Sequence, residues 1–97
     1  MKTIKQVEIT PVFCEDSVPE IPSQYEEGKV YISKNKDWIA HNCLCGCGSF
    51  IMLPVNQSPQ GWQLEVDGNN RISLIGSILQ YECKAHYIIT KNKANFV

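Results

Sequence analysis

The chain has 97 residues, a hydrophobic fraction of 43%, a charged fraction of 20% and a formal net charge of -1. That length fits one domain, 1–97, with a small core, because so short a chain buries only roughly 60–70% of its unfolded surface. The composition excludes disorder, the scattered lysines exclude the basic footprint of a nucleic-acid binder, and no apolar run approaches the ~20 residues of a membrane helix.

Residues 1–13 read as a strand, with Ile4, Val7 and Ile9 between polar residues, then Pro11 and Val12-Phe13. Residues 14–28 hold Pro19, Pro22, Gly28 and a run of acidic side chains, which predicts a mobile loop with one helical turn near Ser23 to Glu27. Gly28 to Ser33 is a short strand of β-branched and aromatic residues, Lys34 to Asp37 is a turn, and Trp38 to His41 leads into a cysteine cluster. Phe50 to Leu53 is an apolar strand ended by Pro54. Trp62 to Asp67 alternates strictly, with Trp62, Leu64 and Val66 on one face. Asp67-Gly68 signals a hairpin to Arg71–Ile75, and 86–97 forms a last hairpin through Lys91-Asn92-Lys93. No stretch carries a helical period. The fold class is therefore mostly β, a small antiparallel sheet or barrel-like fold.

The N-terminal MKTIKQVEIT lacks the apolar centre of a signal peptide, which predicts a cytoplasmic protein whose thiols stay reduced. Five cysteines in such a chain point to metal or chemistry before disulfides. They and the histidines fall into two groups, His41-Asn42-Cys43-Leu44-Cys45-Gly46-Cys47-Gly48 and Cys83-Lys84-Ala85-His86. Zn2+ takes four soft or borderline ligands in a tetrahedron, and two chelating pieces distant in the chain are the usual way to supply them. In an extended segment His41, Cys43, Cys45 and Cys47 share one face, and the glycines let the chain bend back toward an ion. Cys43, Cys45, Cys47 and Cys83 make an all-sulfur site; exchanging Cys43 for His86 makes a Cys3His site. Spacing does not separate them, and the four thiolates with His86 close by are the set carried forward. Taken singly these residues would be buried free cysteines and core histidines; three cysteines in five residues followed by C-x-x-H make the metal reading the stronger. A structural zinc would staple a core this small. Cys14 lies beside Glu15 and Asp16, whose charge should raise its pKa and leave it inert.

The pattern H-x-C-x-C-G-C-G, an apolar strand, W-x-L-x-x-D-G, Ser77-Ile78 and C-x-x-H-Y-x-I resembles a small domain family of bacterial ubiquitination-like (Bub) operons linked to phage defence. The resemblance runs from about Gly28 to Phe96. It implies a peptidase acting on a ubiquitin-like protein or its C-terminal tail, beside the activating and conjugating enzymes of the same pathway. It also implies Ser77 as the site serine. Members usually carry proline before that serine, where this chain has Gly76.

A serine nucleophile needs a base, and only His41 and His86 are present. If zinc takes four thiolates, either could serve; if it takes His86, His41 remains. Asp37, Glu65, Asp67 or Glu82 could orient the base, and Gly46 and Gly48 could offer N–H groups to an oxyanion. Read without the resemblance, Ser77 is a turn or capping serine, and no G-x-S-x-G elbow surrounds it. A Cys43 nucleophile beside His41, or a metallopeptidase with Glu82 as base, rank below it. The alternative is a non-catalytic zinc-binding interaction module, in which Phe50 to Leu53 pairs with a partner's sheet edge or receives an extended tail.

Overall fold

The computed structural model describes residues 6–20, 22–80 and 83–97. Its β-branched and aromatic segments, punctuated by turn formers, become strands β1 (Gln6–Glu8), β2 (Thr10–Phe13), β3 (Lys29–Ile32), β4 (Trp38–Asn42) and β5 (Phe50–Pro54). The series continues with β6 (Gln63–Val66), β7 (Ile72–Ile75), β8 (Ile78–Gln80), β9 (Ala85–Thr90) and β10 (Lys93–Phe96). The fold is mostly β, as its periodicity predicts, and no helix among the described residues is long and apolar enough to cross a membrane.

Two sheets face each other, in the orders β1-β10-β9-β8 and β2-β3-β4-β5, with the β6-β7 hairpin beside them. Every pairing between these strands is antiparallel except β2 with β3. The strand expected over 1–13 is two strands within its described part. Ile9 donates its N–H to Asn92 and Thr10 to Gly28, so successive residues bond to different sheets and the chain changes sheet at Ile9. β8 was not expected at all: Ile78-Leu79-Gln80 is too short for alternation to register.

Between the sheets lies an aliphatic core that includes Val30, Ile32, Ile39, Ile72, Ile78 and Ile89, with Tyr87 fully buried among them. β3 is buried on both faces. Its Tyr31 joins Ala40 on the outer face of the second sheet, where Val18 and Tyr25 of the 14–28 segment cover them. The Tyr25 hydroxyl donates to Pro19 O at 2.5 Å, and Asn42 Nδ2 donates to Tyr25 O at 3.0 Å. This segment, expected as a mobile loop, therefore packs through Val18 and Tyr25 and carries a 3-10 turn at Pro22–Gln24.

The hairpins close differently. At Lys91-Asn92 both residues have positive φ (46° and 64°), the signature of a two-residue turn matched to strand twist. The expected Asp67-Gly68 turn is longer, because the left-handed position falls on Asn70 (φ 60°) and Asp67 Oδ1 accepts the N–H groups of Asn69 and Arg71. Asn92 then ties β7 to the last hairpin: its N–H donates to Ile72 O, and its Oδ1 accepts the Ile72 N–H at 2.8 Å.

Candidate metal centre and serine cleft

β4 ends at Asn42, and a short loop carries the chain to β5. Gly46 (φ 89°) and Gly48 (φ 85°) supply the left-handed turns this loop needs, and Cys43 N–H donates to Ser49 O at 2.7 Å to close it. The loop brings Cys43, Cys45 and Cys47 together, and Cys83 arrives from the connection between β8 and β9. The four sulfurs lie within 4.8 Å of one another. Cys43 Sγ is 3.5 Å from Cys45 Sγ and 3.6 Å from Cys83 Sγ, and Cys45 and Cys83 are 3.4 Å apart. A tetrahedron of thiolates at about 2.3 Å from an ion sets its sulfurs roughly 3.8 Å apart, so the cluster fits a metal with little adjustment. All five cysteines are free thiols.

The electrostatics of the four thiols divide them. Burial pushes the Cys43 thiol up to about 12, so it keeps its proton at neutral pH until a cation displaces it. Cys47 is exposed, and hydrogen bonds from Ser49 hold it at about 6. Cys14 is apart from the cluster. Its thiol is raised as expected, but burial does this rather than the adjacent carboxylates.

Neither histidine joins the four sulfurs. His41 leaves the expected common face because it belongs to β4 while the cysteines follow in the loop. Its ring is 0% exposed and points between the sheets, where Nε2 meets the Tyr87 hydroxyl at 2.8 Å. Its Nδ1 is buried without a hydrogen-bond partner, and desolvation lowers the pKa to about 4. Tyr87, singled out by no motif, is the residue that links His41 to the metal loop. Leu44 and the Cys43 thiol also lie beside its hydroxyl. The available signal was its place next to His86, which strand alternation sends to the inner face.

Ser77 stands outside, exposed, one residue before β8. Gly76 precedes it with φ 115°, a conformation closed to proline, and a Cβ there would meet Trp62 Cδ1 at 2.8 Å. Glycine at 76 thus does more than loosen the chain: it admits the Trp62 indole, whose Nε1 donates to Ser77 O at 3.0 Å. Gln60, Gly61, Trp62, Gly76 and Ser77 enclose an open cleft of about 230 Å³.

The β8–β9 register relates Ser77 to His86. Ile78 pairs with Tyr87 and Leu79 with His86. Ile78 and Tyr87 are buried, so Leu79 and His86 share the outer face. Ser77 lies one residue outside this ladder, on the chain that leads into Leu79, the partner of His86. No hydrogen bond among the described residues joins Ser77 Oγ to either histidine.

Of the carboxylates considered as orienters, two are occupied elsewhere, one is exposed on a strand and one lies outside the described residues. Asp37 accepts from Ser33 Oγ at 2.6 Å, and Asp67 is paired with Arg71 at 2.8 Å. Glu65 is exposed on β6, and Glu82 lies outside the described residues. The Gly46 N–H, one oxyanion candidate, already donates to Cys43 O.

A family model described as bacterial ubiquitination-like system serine protease (BubE) matches residues 17–97, a span that includes Ser77, both histidines and the four clustered cysteines. No curated protein matches the chain, and no solved structure does.

Proposed function

Since the chain belongs to the BubE family of bacterial ubiquitination-like system serine proteases, we propose that it cleaves the peptide bond after the tail of a ubiquitin-like protein, with Ser77 as nucleophile and His86 as base. The observation that supports this assignment is that exposed Ser77 leads directly into β8, whose Leu79 pairs with His86. His41 is unsuited to the role, being buried and bonded to Tyr87.

In this mechanism His86 takes the proton from Ser77 Oγ as the oxygen attacks the carbonyl carbon. It returns that proton to the leaving amine as the C–N bond breaks, leaving an acyl-enzyme. Water enters, His86 accepts its proton, and the ester is hydrolysed to free the tail carboxylate and regenerate Ser77. The four thiolates suit Zn2+, which would hold the β4–β5 loop to the β8–β9 connection. A set closed by four cysteines is structural rather than hydrolytic. The setting proposed is the bacterial cytoplasm, in a conjugation pathway serving phage defence.

The test is cleavage of the ubiquitin-like precursor of the same system, read by intact mass, for wild type, Ser77→Ala and His86→Ala. Both variants should lose at least roughly 10³ in rate with unchanged zinc content and melting temperature. If wild type fails on a folded precursor, the chain is a zinc-binding interaction module instead. Equal cleavage by all three would move the chemistry to another group.

A further inference from the structure

Among the described residues, the outer edges of β5 and β8 have no strand partner, apart from the Val55–Trp62 bridge just past β5, and the two strands carry no charge and border one groove. β5 (Phe-Ile-Met-Leu-Pro) ends the second sheet and β8 (Ile-Leu-Gln) ends the first. Natural edge strands usually carry a charge, a bulge or a covering loop that prevents pairing. These have no charge, and Phe50, Met52 and Leu79 are 38%, 46% and 48% exposed. With Trp62, Ile78 and Gln80 they contribute to a groove of about 240 Å³. That is below the ~300–1,000 Å³ of small-molecule sites, and a shallow trough between strand edges suits an extended chain better than a compact ligand.

The ladder shows which backbone groups are free. Cys43 N–H donates to Ser49 O, and Val55 N–H donates to Asp37 O. Bonded and non-bonded pairs alternate in an antiparallel ladder, so Ile51 and Leu53 bond to β4 while Phe50 and Met52 turn their N–H and C=O groups to the open edge. Pro54, which has no N–H, occupies the next outward position. On the other side, Val97 N–H donates to His86 O, which directs His86 toward β10 and leaves its partner Leu79 facing the open edge of β8. Trp62 lines this groove and the Ser77 cleft alike, so the two adjoin at its indole.

We propose that the groove receives the extended C-terminal tail of the ubiquitin-like substrate as an added strand on the β5 edge, held by the Phe50 and Met52 backbone and led past Trp62 to Ser77. The inference rests on the proposed peptidase reading, and it assigns the substrate-binding residues of that site. Main-chain pairing gives a strand-adding site its affinity, and the flanking side chains select among sequences.

The experiment uses full-length Ser77→Ala and a synthetic peptide spanning the tail, followed by amide chemical shifts. Resonances of 50–53 and 78–80 should move on titration. Met52→Pro removes an outward N–H without touching the β4 ladder and should weaken binding about tenfold, with unchanged zinc content. Peptides N-methylated at successive amides supply the same test without altering the protein: binding should fall at alternate positions only. Uniform tolerance of N-methylation, or peptide shifts elsewhere, overturns the proposal even if Ser77 still cleaves. Loss of cleavage with intact alternate-position binding leaves the groove standing and removes the catalytic reading. A concentration-dependent dimer whose 50–53 resonances move on dilution, without peptide, assigns the edge to a second copy and also overturns it.

Discussion

Two single residues show how a backbone or solvation requirement governs the neighbourhood of the site. Gly76 holds φ 115° with an indole where a Cβ would stand. Gly76→Ala should therefore lower stability by about 2 kcal/mol in urea denaturation and displace the Trp62 ring from the serine cleft. His41 supplies a pH dependence. Burial lowers its pKa from 6.5 to about 4. Above pH 6.5 neither the folded nor the unfolded chain protonates this ring, and its neutrality costs nothing. Below that, the unfolded chain binds a proton that the folded chain refuses. Stability is thus lost as pH falls from 6.5 toward 4, by about 3 kcal/mol at full development. Acid also releases metal from thiolates, in the same direction. The ring resonances of His41 separate the two, and should remain those of a neutral imidazole at pH 5 in the metal-loaded protein; titration near 6.5 would refute its burial.

Among the elements, the last hairpin joins the most parts. Its turn residue Asn92 occupies the left-handed region, accepts the Ile72 N–H and donates to Ile72 O. Asn92→Ala loses side-chain tolerance of that conformation and strands the amide of a fully buried isoleucine. The expected loss is about 2 kcal/mol in denaturation midpoint analysis, with faster hydrogen exchange at Ile72. Asn92→Gly keeps the turn geometry and should recover part of it. The β8–β9 pair matters for another reason: its register puts Leu79 opposite His86, two residues after Ser77. Tyr87, between Ile78 and the His41 ring, anchors that register to the core and contacts the Cys43 thiol of the metal loop. Tyr87→Phe should leave secondary structure intact while weakening metal retention against a chelator, since it removes a polar contact to one ligand.

For the molecule as a whole, the four-cysteine cluster joins the β4–β5 loop of one sheet to the β8–β9 connection of the other. A metal bound there crosslinks positions forty residues apart in the chain, Cys43 and Cys83. Structural zinc binding is worth on the order of 10 kcal/mol, comparable to the whole stability of a domain this size. Cys47→Ser should lower metal content and melting temperature together, and chelation of wild type should reproduce the thermal loss. A variant with unchanged metal and melting curve would remove the staple from this account.

Local chemistry made most of the strands and the cysteine cluster legible. Alternation marked β6, β-branched runs marked β3 and β9, and soft ligands at short spacings marked the thiols, because each of these is a constraint between near neighbours. The motif order from the cysteine loop to C-x-x-H-Y likewise identified the family. What the chain order left open was which distant groups meet. His41 and Cys43 are two apart, yet one enters the core and the other the cluster, because the strand ends between them. The strand that brings Leu79 opposite His86, just past Ser77, has three residues and is too short to show a period. Gly76 took its meaning from Trp62, fourteen residues earlier. Periodicity fixes the direction of a side chain relative to its own strand; packing of two sheets, which buries the most apolar surface in one arrangement, decides what that side chain faces.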